Sequence, residues 1–398
     1  MKDRILKLSE DLRDDITNFT REMIAIPSLS GKEDKVIRLI KQKMEKLGFE
    51  KVQNDKMGNL IGQIGDGKHI LAFDGHADTV EVGSLEAWKY DPFEGKIEKE
   101  IIYGRGACDQ KGGIASLIYS GYILQKIGIP KDTTFLIVVG VQEELFEGLN
   151  WQFIVKEMGI LPDAVVLTEP TGLRIAIGQK GRIDLKIKTN GISSHGAAPD
   201  EGENAIYKIV PIIQDIQKLH KMLPSDPIFG KACISVTGVR STSPAVNAIA
   251  DSAIINVDRR LISQETLESV ITEINSLSSI KMAKAQVYVP EYEYKSNKFT
   301  YPIKAYYPSW IMEKNHPFIQ TAARTYQQLF GQEAEFLHWH FSTNGAATKG
   351  IFEIPTLGFG PGYEKFAHTT EDQVPIDHLI KAMQFYASLA KNWQLTIQ

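Results

Sequence analysis

Leu71-Ala-Phe-Asp-Gly-His-Ala-Asp-Thr79 is an apolar run that turns polar at its end. Residues two apart in an extended chain project to the same side, so His76 and Asp78 face one small space at the end of a strand. An imidazole beside an orienting carboxylate is a common way to hold a metal, whereas an isolated pair of this kind is more often an ordinary feature of a strand end. Working outward, short apolar runs at 60–64, 69–73, 135–141 and 164–167 alternate with a helix-like stretch at 112–127. That alternation predicts an α/β fold with a mixed or mostly parallel sheet covered by helices. In such a sheet the polar strand ends gather at one edge, where sites form.

The texture changes from Arg182 onward. Ile183-Asp-Leu-Lys-Ile-Lys-Thr189 alternates strictly, which predicts a strand with one wet face, and helical spacing follows at 204–222. Strands at 232–239, 253–261 and 285–289 and a helix at 264–277 complete an α+β sandwich. Helical spacing at 317–330 and 376–393 and a strand-like run at 354–359 then return to the first pattern. The sandwich therefore reads as an insertion, residues 182–294, into a discontinuous domain of residues 1–181 and 295–398. At the N-terminus, residues 3–48 predict two helices punctuated at Ile26-Pro-Ser-Leu-Ser30.

At 398 residues the chain exceeds the usual single-domain size. Its formal net charge of -4 is small, with Lys and Arg scattered, which argues against a nucleic-acid surface or a polybasic membrane anchor. The start, Met1-Lys-Asp-Arg-Ile-Leu-Lys, lacks the apolar core of a signal peptide and no segment approaches a membrane span, so a cytoplasmic location is expected. Cys108 and Cys233 are the two cysteines, so at most one disulfide could form, and reduced thiols are the simpler reading.

Four further strand ends carry acid or imidazole. Asp109 lies in the glycine-rich Gly104-Arg-Gly-Ala-Cys-Asp-Gln-Lys-Gly-Gly113, Gln142-Glu-Glu144 ends one apolar run, and Glu169 ends another in Leu167-Thr-Glu-Pro-Thr171. His368 follows the turn at 358–362. Two histidines with Asp109, Glu144 and Glu169 would bring three negative charges together, a repulsive set unless cations join them. Two divalent metals supply four positive charges and leave one for a bridging hydroxide, whose pKa such a site lowers. Nitrogen and oxygen donors without thiolate favour zinc, with cobalt or manganese as replacements. Glu143 is then free to take the proton of an attacking water and return it to a leaving nitrogen.

Together Gly75-His-Ala-Asp78, Gly104-Arg-Gly-Ala-x-Asp109, Glu143-Glu144, Glu169-Pro-Thr171, Gly191-x-x-x-His195-Gly and Ala367-His368 resemble the ordered motifs of the M20 metallopeptidase family. The family includes acetylornithine deacetylase, succinyl-diaminopimelate desuccinylase, aminoacylase and glutamate-releasing carboxypeptidases. Tyr307-Pro-Ser-Trp and Phe341-Ser-Thr-Asn-Gly resemble its selenium-metabolism-linked subgroup. The resemblance implies that His76, Asp109 and Glu169 bind one metal and Asp109, Glu144 and His368 the other. It further implies that Asp109 bridges, Asp78 orients His76, Glu143 is the general acid/base, and a cis peptide follows Asp109.

On the inserted domain the resemblance makes His195 an oxyanion donor to a neighbouring subunit's site, which implies a homodimer. Read alone, His195 is a turn residue. Asn247 and Arg260 are candidate substrate contacts, Arg260 as a two-pronged grip on a carboxylate, with a structural salt bridge as the alternative. Arg259 points the other way and is expected to be solvated. Thr343 and Asn344 stand where many relatives have Thr-Asp, so they are candidate substrate contacts lacking one charge. Cys108 has no base placed beside it, and Gly104–Gly113 lacks the spacing of a phosphate loop. The expected reaction is hydrolysis of an amide next to a free carboxylate. N-acyl amino acids, dipeptides and N-carbamoyl compounds are all open as substrates, and the resemblance turns Glu169 toward deacylase or carboxypeptidase-like ones. The rival from another class is a relative that binds a ligand without turnover.

Overall fold

The computed structural model describes residues 1–296 and 299–393, and these fold around two separate hydrophobic cores. The larger core surrounds a nine-stranded sheet in the order Lys51–Asn54, Leu60–Ile64, Thr133–Gly140, His69–His76, Ala164–Leu167, Thr356–Gly358, Ile175–Gln179 and Trp310–Ile311. Phe336–Trp339 also pairs with Ile175–Gln179. His69–His76 runs parallel to both neighbours, with Phe73 opposite Ile137 on one side and Val166 on the other. It is buried from Leu71 to its end. A strand covered on both faces is apolar throughout, not alternating, which is how the opening stretch reads.

Helices close both faces. Phe73 packs on Tyr386 of helix Ile376–Asn392, which lies against helix Gly112–Ile127. On the opposite face Asp74 accepts hydrogen bonds from Asn150 Nδ2 and Trp151 Nε1 of helix Leu149–Lys156. Helices Gly112–Ile127 and Pro317–Phe330 occupy the residues expected of them. The N-terminal segment differs, with helices Lys2–Asp11, Arg13–Ile24 and Asp34–Lys46 where two were expected. Leu12, at φ -95° and ψ 3°, breaks the first stretch. Its side chain stays buried, so the apolar spacing runs across the break and hides it.

The smaller core belongs to the insertion. Its antiparallel sheet runs Cys233–Thr242, Ser252–Leu261, Gly181–Asn190 and Gln286–Tyr288, with Tyr306–Tyr307 also on Gly181–Asn190. Ile183, Leu185 and Ile187 are buried in it with Ile209, Ile212 and Ile216 of helix Ala205–Met222. The alternation of 183–189 is thus the alternation of core and outer face. Asn204 starts that helix by accepting from Ile206 N, and a Thr266–Ser269 capping box starts Leu267–Ser276.

Arg259 overturns one expectation. It is fully buried and ion-paired to Glu265 and Glu273. Ala253, Ile255, Val257 and Leu261 share its face of the strand and are buried, so strand periodicity carries Arg259 inward. The partners that make this tolerable lie beyond the strand, Glu265 just ahead of helix Leu267–Ser276 and Glu273 on it. A hairpin, Glu291–Ser296 with Phe299–Lys304, straddles the expected end of the insertion at residue 294. It packs on the larger core through Phe153–Phe299 and through the Tyr294 hydroxyl, which donates to the Met57 carbonyl.

Candidate active site

His76 ends the central strand with its ring held from behind. Nδ1 donates to the Asp78 carbonyl at 2.9 Å and lies 3.5 Å from Asp78 Oδ1. That leaves Nε2 facing Asp109 Oδ1 at 3.1 Å, Glu169 Oε1 at 3.6 Å and Glu143 Oε2 at 3.8 Å. Asp78 has a second task that its spacing from His76 does not reveal. Its Oδ1 accepts from Glu143 N at 3.0 Å, and its Oδ2 accepts from Glu144 N at 3.1 Å and Ser30 Oγ at 2.7 Å. Buried Glu33 continues the frame, with Oε1 accepting from Gly31 N and Gln142 N, both at 2.9 Å. Burial, reinforced by the charge of Asp78, pushes Glu33 up to about 7.

Asp109 is set by the glycine-rich loop. Asp372 accepts from Gly106 N at 2.6 Å and Cys108 N at 2.9 Å and pairs with Arg105 at 3.1 Å, fixing the loop from within the protein. Gly106 has φ +84°, and a Cβ there would come within 2.8 Å of Thr79, so both backbone and space require glycine. The Asp109–Gln110 peptide is cis, as expected. Asp109 presents Oδ1 to His76 and Oδ2 to His368 Nε2 at 3.2 Å, and His368 Nε2 lies 2.9 Å from Glu144 Oε2. The structure therefore brings His76, Asp109, Glu143, Glu144, Glu169 and His368 together.

The charges in this cluster are unbalanced. Burial pushes Glu143 and Glu169 well up, with neighbouring carboxylates adding to the push and His76 opposing it. Burial and Asp109 push Glu144 up as well. His368 is drawn up to about 10 by Asp109 and Glu144. Burial opposes a charge on His76, yet Glu143, Asp109, Asp78 and Glu169 outweigh it and raise its pKa. Asp109 is also buried, but its two histidine partners hold it below the usual carboxylate range.

A set that draws protons onto imidazoles and carboxylates alike lacks positive charge, and divalent cations supply it. His76 has a donor atom within 4.8 Å of others from Glu143 and Glu169, and again within that distance of Asp109 and Glu144. Nitrogen and oxygen donors at this spacing fit a metal centre. Glu143 Oε1 is buried with no hydrogen-bond partner among the described residues. Cys108 is buried and its thiol is pushed well up, first by burial, which suits no nucleophile.

A cavity of about 570 Å³ opens over the cluster and is bounded on the insertion side by Glu147, Arg182 and Arg260. Arg260 keeps the cavity-facing position expected of it, its Nε donating to Asp258 Oδ1 at 2.9 Å. Thr343 and Asn344 do not line the cavity. Thr343 Oγ1 donates to Gln179 Oε1 at 2.6 Å, while Asn344 Nδ2 donates to Asp74 Oδ2 at 2.8 Å and Asn344 Oδ1 accepts from Gly148 N at 2.7 Å. Their polarity serves the interior under the strand of His76, so the missing charge at Asn344 keeps Asp74 from facing a second carboxylate. His195 and Asn247 are exposed on the insertion and do not line the cavity of their own chain. Their loops touch, Gly196 N donating to Asn247 O at 2.7 Å. Sequence reasoning missed Glu33, Glu147, Arg182 and Asp372, although Glu147 lies three residues after Glu144 and Asp372 four after His368.

The profile of peptidase family M20/M25/M40 matches residues 72–392. The chain belongs to this family. Among its M20 relatives, the uncharacterized protein YgeY of Escherichia coli (strain K12) is 41% identical over 393 residues, covering 98% of each chain. Succinyl-diaminopimelate desuccinylase of Ehrlichia canis (strain Jake) is 26% identical, covering 95% of this chain and 98% of its own. The fold is shared with the Bacillus subtilis YXEP protein, a dinuclear metal-binding M20 peptidase, at a TM-score of 0.68 and 17% identity over 96% of this chain and 98% of that one. The protein is accordingly an M20 metallohydrolase of mixed α/β fold with an inserted α+β domain. Among the described residues no helix is long and apolar enough to cross a membrane.

Proposed function

We propose that this M20 protein hydrolyses the amide C–N bond of an N-acyl amino acid or small peptide-like substrate bearing a free carboxylate. The observation that carries the reading is the unpartnered, buried Oε1 of Glu143 beside five converging donors. In it, His76, Asp109 and Glu169 hold one divalent ion and Asp109, Glu144 and His368 a second, with zinc favoured by the donor set and cobalt or manganese as substitutes. Two such ions would supply Lewis acidity toward a substrate carbonyl and lower the pKa of a bound water. Asp78 keeps His76 in the tautomer that turns Nε2 to the site. Glu143 takes a proton from water at Oε1 and delivers it to the leaving nitrogen. Arg260 holds the carboxylate through its free Nη groups.

His195, exposed and not among the residues lining its own cavity, serves the neighbouring subunit as a hydrogen-bond donor to the substrate carbonyl oxygen, with Asn247 beside it. This role requires a homodimer through the inserted domain. We place that domain at residues 182–294 between catalytic segments 1–181 and 295–398. The two cores support the division, since the smaller one draws its buried members from Ile183 to Ile280.

The test is an assay of zinc-loaded wild type and Glu143→Ala with acetylated amino acids, dipeptides and N-carbamoyl amino acids. Turnover of one class by wild type and its loss, by about 10²–10⁴-fold, in Glu143→Ala is the expected result. Full turnover by Glu143→Ala would sink the assignment.

A further inference from the structure

Glu147 and Arg182 have no part in the hydrolytic scheme, yet both line its cavity. Glu147 lies three residues beyond Glu144, and its charge reaches Glu143. Arg182 sits on the first strand of the insertion, so the pair stands where the two cores meet. Arg182 Nη1 lies 2.8 Å from Glu147 Oε1, and the guanidinium rests 4.5 Å from the centre of the Tyr307 ring. Only 7% of Glu147 is exposed, and its Oε2 has no hydrogen-bond partner among the described residues. A buried carboxylate oxygen is costly to leave without a donor. Glu147 is part of the cavity wall, so this oxygen lies just behind the surface that a bound molecule would meet.

The local charges define that donor. Arg182 and Arg260 contribute two positive charges, while Asp184, Asp258 and an ionised Glu147, which burial pushes up to about 7 against the pull of Arg182, contribute three negative ones, Asp184 lying 3.4 Å from Arg182 Nε and Asp258 2.9 Å from Arg260 Nε. One negative charge is left over, and a substrate carboxylate on Arg260 adds another. A cationic N–H group beside Glu147 Oε2 offsets that excess and completes the carboxylate's hydrogen bonding, which a neutral or apolar group does less well.

We propose that Glu147, held in place by Arg182, is a specificity-determining acceptor that takes a protonated amine on the same molecule whose carboxylate Arg260 holds. This deepens the hydrolase reading and rests on it for the placement of the carboxylate.

Three probes separate the chemistries: Nα-acetyl-L-ornithine, N-acetyl-L-norleucine, which replaces the ammonium by a methyl group, and N-acetyl-L-glutamine, a neutral N–H donor. Their binding to zinc-equilibrated Glu143→Ala protein is measured by calorimetry, with and without Glu147→Gln, which keeps an oxygen for Arg182 and removes the charge. The ornithine compound should bind at least about tenfold more tightly than either other probe. Added Glu147→Gln should shrink that ratio to about twofold or less. Equal binding of the three, a preference for the glutamine compound, or a preference that survives Glu147→Gln overturns the proposal. If Glu147→Gln weakens all three in proportion, Glu147 only positions Arg182 and the proposal is again overturned. Turnover by wild type is followed on the same compounds. Its absence with the binding preference intact counts against the hydrolase reading and leaves the role of Glu147 standing.

Discussion

Asp78 Oδ1 accepts the backbone N–H of Glu143 at 3.0 Å. The carboxylate that backs His76 therefore also fixes the loop bearing the proposed acid/base, and Asp78 Oδ2 does the same for Glu144. Asp78→Asn turns one of these oxygens into a donor facing a donor. It should lower kcat about 10–100-fold, the usual range for a partner that orients a metal ligand, with a smaller change in KM. Metal content should fall less than in His76→Ala. Steady-state kinetics beside metal analysis checks this, and an unchanged kcat in Asp78→Asn would show that the loop holds without it.

Glu33 makes stability depend on pH in a definite direction. Its folded-state pKa is raised to about 7, above its value in an unfolded chain. Between the two values the folded state binds more protons, so the contribution is present below about 4.5 and is lost as pH rises through about 7. Glu33→Gln keeps an acceptor for Gly31 and Gln142 and removes the titration. Denaturant unfolding of both proteins from acid to neutral pH should show wild type losing stability relative to the variant, by on the order of 3 kcal/mol. A difference that stays flat with pH would contradict the burial of this carboxyl.

Arg259 and Arg260 are neighbours on opposite faces of one strand, Arg259 buried in an ion-pair cluster and Arg260 lining the cavity. Arg259→Ala leaves Glu265 and Glu273 without their partner and should cost about 3 kcal/mol of stability. Arg260→Ala should change stability by less than about 1 kcal/mol but raise KM about 10–100-fold, the worth of a charged hydrogen-bonded contact. Thermal unfolding and kinetics on the two variants separate the roles, and reversed outcomes would reassign them.

Asn344 is expected to act on stability. Asn344→Asp replaces the donor to Asp74 Oδ2 with a second carboxylate in the interior, where burial already pushes Asp74 up to about 6. A loss of about 3 kcal/mol is expected, with KM for carboxylate substrates little changed. A raised KM at undiminished stability would return Asn344 to the substrate site.

The legible parts of this chain were those governed by local periodicity. The buried run of 71–76 and the alternation of 183–189 each read correctly because strand geometry alone decides which residues are covered. The metal-centre candidates were legible because His76 ends a strand, Glu144 and Glu169 follow strand ends closely, and Asp109 and His368 lie beside glycine-rich turns. What stayed hidden depended on partners that strand periodicity does not bring into view. Arg259 looked solvated because Glu265 and Glu273 reach it only after the chain turns back from the strand, and Asn344 looked like a substrate contact because its partner Asp74 is 270 residues away. Glu147 and Arg182 carried no motif, and only the meeting of the two cores makes them a pair.

The central claim is a two-metal centre built by His76, Asp109, Glu144, Glu169 and His368. Metal bound per chain after zinc equilibration and removal of free ion, read by mass spectrometry on wild type and His368→Ala, tests it most directly. Two ions per wild-type chain and about one in His368→Ala is the result this arrangement requires. A wild type holding less than one ion, or a His368→Ala variant still holding two, would contradict it.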